Sequence, residues 1–373
     1  MKIENFVKLL DVEFYTGIPD SQLKALCDYL MNTYGIDPAH HLIGANEGNC
    51  VGLAAGYHLA TGKIPAVYLQ NSGEGNIINP VASLLKDDVY AIPCIFIIGW
   101  RGQPGVQDEP QHIYQGKVTI SLLDAMTIES MVIGKDTVEA DIKAKISTWK
   151  DILAHGGQVG FIVEKGALEY DAKASYSNHF DMNREAILRK ITEVASDDFI
   201  VSTTGKISRE LFEIREMSGQ SHSHDFLTVG SMGHCSSIAL GIAINKPSAK
   251  VWCIDGDGSA LMHMGAMSTI ASVAPKNMVH IVLNNEAHET VGGMPTVSAS
   301  MDFTNVAIAC GYPEAIKVTN ESELITALDR ANQSDKLIFI EIYCALGSRN
   351  NLGRPTTTAL ENKNNFMQEL TRY

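Results

Sequence analysis

Two short motifs in the second half of the chain carry oxygen donors at a spacing that suits a metal ion. Gly256-Asp257-Gly258-Ser259 comes first, and 25 residues separate Gly258 from Asn284-Asn285. The Asp257 carboxylate and the Asn285 amide oxygen are hard ligands. With a backbone carbonyl they make the set that Mg²⁺ prefers. The apolar run from Val251 to Asp255, stopped by Gly-Asp-Gly, reads as a buried strand. Ser259 to Val273 reads as a helix and Met278 to Leu283 as the next strand. A strand–helix–strand unit of this length is a right-handed crossover. If its strands are neighbours, their C-terminal ends lie about 5 Å apart, and Asp257 and Asn285 meet above the sheet. A helix starting near Ser259 points its free N–H groups at the same place, which favours a phosphate. Alone, Gly-Asp-Gly is an ordinary turn. Its flanking elements and the Asn pair point instead to a divalent cation holding a diphosphate.

Those elements belong to a scheme that runs along the whole chain. Strands are expected near 14–15, 41–43, 65–69, 93–98, 126–133 and 160–163, with helices near 21–34, 48–61, 76–85 and 138–155. The second half repeats this, with strands near 199–202, 226–228, 251–254, 279–283, 315–318 and 337–342. Its helices are expected near 184–195, 208–217, 236–245, 260–272, 303–310 and 321–331. Alternation of helices with continuous apolar strands means parallel sheets covered on both faces. The segment 166–183 is polar and lacks apolar periodicity, so it reads as a linker. Two α/β domains follow, 1–165 and 184–346, with a tail at 347–373 that ends in an amphipathic segment, 364–370.

Composition excludes several classes of function. The 373 residues are 45% hydrophobic and 19% charged, enough for large cores. A net charge of −14 argues against nucleic acid or an anionic membrane as partner. Charges interrupt the N-terminal segment MKIENFVKLLDVEF, so no signal peptide is expected, and no apolar run is long enough to span a bilayer. The seven cysteines show no CxxC pairing and sit mostly in apolar runs, as expected of a reduced, cytoplasmic protein.

Two charged residues in the first half sit where ligands bind in such folds. Arg101 follows the apolar run CIFIIGW, at the C-terminal edge of a parallel strand. Its planar fork suits an anion. Glu47 opens the small-residue helix after the 41–43 strand, where a carboxylate complements the helix dipole.

The Gly-Asp-Gly and Asn-Asn pair resembles the fingerprint of thiamin diphosphate (ThDP) enzymes. That resemblance implies a Mg²⁺ held by Asp257, Asn285 and the backbone carbonyl of Ala287. Tyr15-Thr16-Gly17-Ile18-Pro19-Asp20, a helix, and then Glu47 look like the pyrimidine (PYR) domain of the ThDP-dependent 2-oxoacid decarboxylases. Glu47 would then hydrogen-bond N1′ of the aminopyrimidine and promote the ylid, and Ser21 would face the substrate. Gly230-Ser231-Met232-Gly233 resembles the family segment that supports the folded cofactor, with Met232 as a wedge between the rings and the Gly230 carbonyl on the 4′-amino group. Thr204-Gly205-Lys206 resembles the first loop of the diphosphate (PP) domain. Lys206 departs from the usual hydroxyl residue and would add charge to the phosphate or substrate pocket. Gly258, Ser259, Asn285 and Thr290 complete the implied cofactor set. His112, expected in a Gly/Pro-rich loop, resembles a histidine that handles protons, and His288 is expected to approach the metal loop.

The usual central domain between PYR and PP is missing. That compact form is similar to the decarboxylases of phosphonopyruvate and sulfopyruvate. Arg101-Gly102-Gln103-Pro104-Gly105, Asp108-Glu109-Pro110-Gln111-His112 and Leu352-Gly353-Arg354-Pro355 resemble the phosphonopyruvate enzymes in particular. The resemblance implies decarboxylation of phosphonopyruvate, with Arg101 and His112, and less directly Lys206, Arg349 and Arg354, as candidates to bind the phosphonate. It also implies a homo-oligomer with active sites at subunit interfaces. Sulfopyruvate decarboxylation, a carboligating synthase and a non-catalytic phosphate- or nucleotide-binding α/β protein remain as alternatives.

Overall fold

A computed structural model describes residues 1–373. The chain divides into two compact units, 1–176 with 291–294, and 177–290 with 295–373. The division at Tyr176 and Ser177 falls inside the expected linker. No helix is long and apolar enough to cross a membrane.

The first unit holds a six-stranded, all-parallel sheet in the order β2-β1-β3-β4-β6-β5. Its strands are β1 (Tyr15–Gly17), β2 (His41–Ile43), β3 (Ala66–Gln70), β4 (Cys94–Gly99), β5 (Glu129–Ile133) and β6 (Gln158–Val163). β4 and β6 are buried along their full length, which explains their unbroken apolar runs. Around the sheet run α1 (Ile3–Leu10), α2 (Lys24–Thr33), α3 (Glu47–Thr61), α4 (Glu74–Pro80), α5 (Pro110–Ala125) and α6 (Glu139–Ala154). On one face Trp149 packs edge-on against Phe161, which also meets Phe6 of α1.

Two of these helices go beyond the expected set. α1 buries Ile3, Phe6, Val7 and Leu10, an i, i+3, i+4, i+7 stripe. α5 overturns the loop expected around His112, which lies in its first turn. Pro110 at the helix start needs no hydrogen-bonded N–H and sets φ for a helix. The apolar side chains of α5 are spread around its axis, with Ile113, Tyr114 and Ile120 exposed and Leu123 buried, so it shows no clean 3.6-residue period.

The second unit repeats the plan in the order β13-β14-β10-β9-β7-β8, again all parallel. Here β7 is Phe199–Ser202, β8 Asp225–Leu227, β9 Val251–Gly256 and β10 Met278–Asn284. Two-residue strands β11 (Ala287–His288) and β12 (Met294–Pro295) follow, then β13 (Ala315–Val318) and β14 (Ile338–Tyr343). The helices are α7 (Arg184–Ala195), α8 (Lys206–Met217), α9 (Cys235–Asn245), α10 (Asp257–Met262), α11 (Gly265–Val273), α12 (Phe303–Cys310), α13 (Glu321–Gln333) and α14 (Ala359–Leu370). The single helix expected after Gly-Asp-Gly is two, broken at His263 and Met264. The edge strand β8 is covered by α14, whose Asn362 accepts from the Leu227 N–H and donates to the Asp225 carbonyl. Arg215 and Asp225 add a fully buried two-bond ion pair.

Candidate active site

In the first unit the candidate side chains gather at the C-terminal edge of the sheet, on the turns leaving β1, β2, β3 and β4. The strand order reverses at β1 and β3, where open α/β sheets form their ligand crevices. Glu47 begins α3, whose N-cap Asn46 accepts the Gly48 N–H at 2.8 Å. The Glu47 carboxyl is buried and burial raises its pKa, offset in part by a hydrogen bond from the Asn76 amide at 2.7 Å. Gly73 leaves it room: a Cβ there would sit 2.4 Å from Glu47 Oε1.

Asp20, fully buried, accepts from the Gln22 N–H at 2.9 Å and the Gln70 amide at 2.5 Å. It fills the space that a Gly99 side chain would take. Beside it, Arg101 is already paired. Its Nε and Nη2 donate to Asp108 at 2.8 and 2.5 Å, and its Nη1 donates to the exposed Ser21 Oγ at 3.2 Å. Against the upward push of burial, the Arg101 hydrogen bond holds Asp108 well below the usual carboxylate range. The Arg101 backbone is clamped too. Asn71, fully buried, donates to the Arg101 carbonyl at 2.8 Å and accepts its N–H at 3.1 Å. Asn71 also donates to Thr119 of α5, and Gln115 of α5 donates to the Asn71 carbonyl.

His112 is half-buried, and its Nδ1 has no partner. Burial, and then the Arg101 charge, lower its pKa to about 4, so the ring is neutral at pH 7. Gly102 and Gly116 let the Arg101 loop lie directly on α5, since a Cβ at either would strike backbone within 2 Å. Between these groups lies Glu74, fully buried, with neither oxygen in a normal hydrogen bond. Burial pushes its carboxyl up to about 9, with Gln115 and Thr119 close enough to offset this only slightly.

In the second unit β9 and β10 are direct neighbours, with Gly256 opposite Leu283, as the crossover requires. Asp257 and Asn285 therefore leave adjacent strand ends. Asp257 is buried, and its Oδ2 accepts from Thr296 at 2.6 Å and Ser298 at 2.8 Å. Burial lifts its pKa to about 6, because these donors are hydroxyls and not basic groups. Asn285 Oδ1 accepts the Ala287 N–H at 3.1 Å, and its amide donates to Glu289 at 2.9 Å. Glu289 in turn binds Lys206 at 2.7 Å and Arg184. Lys206 therefore stands with its charge already matched.

Around this pair, Ser259 Oγ accepts from Thr203 at 2.9 Å and from the Gly233 N–H at 3.0 Å. Thr204 donates to the Val229 carbonyl, and Gly205, at φ +93°, turns the chain into α8 beside Thr290. The Gly230–Gly233 segment is tightly bent, with Ser231 at φ 55° and Gly233 at φ 92°. Met232 Cε and the buried His288 ring both lie 3.3 Å from where a Gly258 Cβ would be. A side chain there would press on both. Arg354 is exposed, and Arg349 is taken by Glu185 and Glu213. The residues that hold the candidate side chains within each unit, Asn71 and Asn76 in the first and Thr296 and Ser298 in the second, were not among the expected ones. The polar run Asn71-Ser72-Gly73-Glu74-Gly75-Asn76, just past a buried strand, was the signal for the first pair.

Residues 3–125 match the family model of the thiamine pyrophosphate enzyme N-terminal TPP binding domain, and residues 203–342 that of the C-terminal TPP binding domain. Thiamine pyrophosphate is ThDP under another name. A phosphonopyruvate decarboxylase of Streptomyces viridochromogenes is 34% identical over 97% of this chain and 92% of its own. One from Streptomyces hygroscopicus is 32% identical over 97% and 91%. A sulfopyruvate decarboxylase of Methanosarcina acetivorans is 27% identical over 94% of this chain and 92% of its own. With both TPP-binding domains present in order, and decarboxylases aligned along nearly its whole length, the chain belongs to the family of ThDP-dependent decarboxylases.

Proposed function

We propose that the chain converts phosphonopyruvate to phosphonoacetaldehyde and CO₂, using ThDP and Mg²⁺. The substrate assignment rests on the two phosphonopyruvate decarboxylases, which align at higher identity than the sulfopyruvate enzyme. The chemistry of the site agrees with the cofactor. Asp257 is a buried carboxylate with no basic partner, next to an amide oxygen and a carbonyl, and a divalent cation would neutralise it. The residues to hold the metal are Asp257, Asn285 and the Ala287 carbonyl. Those to hold the diphosphate are Thr204, Gly205, Gly258, Ser259 and Thr290. Gly230 and Met232 would support the rings.

When bound, ThDP supplies an electron sink for the carbon that loses CO₂. The chain supplies the rest. Glu47 offers a carboxyl that burial keeps ready to hold or share a proton, the property needed at the aminopyrimidine N1′. His112, neutral and unpartnered at Nδ1, can take or return a proton on the substrate side, with Ser21 nearby at the Arg101 guanidinium. Arg101 is the first candidate for the phosphonate, which would have to draw it from Asp108. Lys206 and Arg354 are the next. The reading includes a homo-oligomer. Seven unpaired cysteines, six of them buried, support a reducing compartment, the cytoplasm.

The test is a substrate panel with ThDP and Mg²⁺, measuring aldehyde from phosphonopyruvate, sulfopyruvate and pyruvate. The highest kcat/KM is expected for phosphonopyruvate. A preference for sulfopyruvate would move the enzyme to the sulfonate reading, and no aldehyde from any of the three would reject decarboxylation.

A further inference from the structure

Behind the cofactor loop, four side chains that are ordinary metal ligands converge in the interior of the second unit. Cys253 and Asp255 are two apart on β9 and so share a face of the sheet. His280 on β10 is the direct register partner of Cys253. Cys235 comes down on them from the first turn of α9. All four are buried, with at most 1% of any one exposed.

Three of the four, Cys235, Cys253 and Asp255, stand at close to coordination spacing, and His280 adjoins them through Asp255. Sγ of Cys235 and Sγ of Cys253 are 3.8 Å apart. Two thiolates about 2.3 Å from a tetrahedral zinc stand about 3.8 Å apart. The ligand atoms of Cys235, Cys253 and Asp255 all lie within 4.8 Å of one another. Asp255 Oδ2 and His280 Nε2 face each other at 3.9 Å, too far for a hydrogen bond, and neither is in a normal hydrogen bond, with the Cys235 thiol beside Asp255. A tetrahedral ion would draw them to about 3.3 Å, a small side-chain movement. Two orphaned polar atoms in a dry core are costly, and such groups in native proteins have a reason to be there.

The surroundings also fit. The other imidazole nitrogen, His280 Nδ1, meets the buried Tyr312 hydroxyl at 2.9 Å, the outer contact that orients a ligating histidine. Asp255 Oδ1 accepts the Gly256 N–H at 3.0 Å, which fixes the carboxylate and leaves Oδ2 turned to the cluster.

We propose that Cys235, Cys253, Asp255 and His280 form a closed, structural site for a thiophilic divalent ion, zinc being the fitting one. Thiolate and imidazole select zinc over magnesium, whereas Asp257 and Asn285 offer only oxygen. The site has four protein ligands and no opening for water, so its task is to pin α9 to β9 and β10, directly beneath the loop that carries Asp257.

The experiment uses full-length protein from cells grown with zinc, and separately with cobalt in place of zinc, then exchanged into excess Mg²⁺. About one zinc per chain is expected by elemental analysis. The cobalt protein should show the near-ultraviolet sulfur-to-cobalt charge-transfer band and the visible bands of a tetrahedral ion. The double variant Cys235→Ala/Cys253→Ala should lose at least tenfold in zinc occupancy, and Asp257→Ala should retain it. The proposal is overturned by zinc-free protein, by cobalt protein without the charge-transfer band, or by zinc that leaves with Asp257→Ala and stays in the double variant. If the double variant does not fold, the cobalt spectrum of the unmutated chain decides alone.

Discussion

Burial raises the pKa of Glu47, and the Asn76 amide and a backbone N–H offset that only in part. Glu47→Gln keeps the shape and removes the titration, so kcat should fall roughly 10²-fold or more, the scale of a positioned acid–base group. Exchange of the cofactor C2 proton, followed by NMR, should slow with it. Unchanged exchange would give Glu47 another task. Glu74 is a second buried carboxyl with a different consequence. Its pKa rises from 4.5 to about 9 on folding, so the folded state keeps a proton that the unfolded state sheds. Stability at this site is therefore complete below about pH 4.5 and drains away as pH rises toward 9, by up to about 1.4 kcal/mol per unit. Glu74→Gln should raise Tm at pH 8 and change it little at pH 5; equal shifts at both would disprove the assignment. Arg101→Ala should lower kcat/KM for phosphonopyruvate by about 2–4 kcal/mol, the range for truncating a buried charged pair. Pyruvate, lacking a second anion, should suffer much less, and equal losses would move the anchor to Lys206 or Arg354. The type and place of Glu47, Asp257 and Asn285 were legible from motifs. The pairing of Arg101 with Asp108 was not, because six residues of loop separate them and only the folded turn brings them together.

At the scale of elements, the turn after β3 is what couples the parts of the first unit. Its Asn71 grips the Arg101 backbone and α5, and its Gly73 lies against Glu47. Gly73→Ala would put a methyl 2.4 Å from Glu47 Oε1, so the carboxyl must move by about an ångström. A displacement of that size can cost on the order of 10²-fold in rate. The variant should keep its Tm within a few degrees and lose activity on that scale. Full activity would mean that Glu47 tolerates repositioning. β9 and β10 were readable because each is a largely apolar run ended by glycine or asparagine, with Asp255 and His280 the polar exceptions. α5 was not, since apolar residues on all its sides erase the period that marks a helix. The break between α10 and α11 was also hidden, because His263 and Met264 are not residues that stop a helix by themselves.

Across the whole molecule, two units with the same all-parallel plan each have a separate core, one around Tyr15, Ile97 and Phe161, the other around Trp252, Ile281 and Ile340. Alternating strands and helices made this plan legible. The covering of β8 by α14 was not, because a single asparagine makes the docking bonds. In both sheets the strand synthesised last is an interior one: β6 lies between β4 and β5, and β14 between β10 and β13. On the ribosome, then, β5 and β13 emerge with no partner and must wait for a strand that slots in from behind. A chain ending at Lys336 would leave β10 and β13 as two open edges facing a vacant lane. It should be soluble only with a chaperone, and residues 177–336 should fall quickly to protease. A stable, protease-resistant second unit in that truncation would contradict this. Premature release during translation thus yields no half-working product, and what reaches quality control is a visibly unfinished sheet.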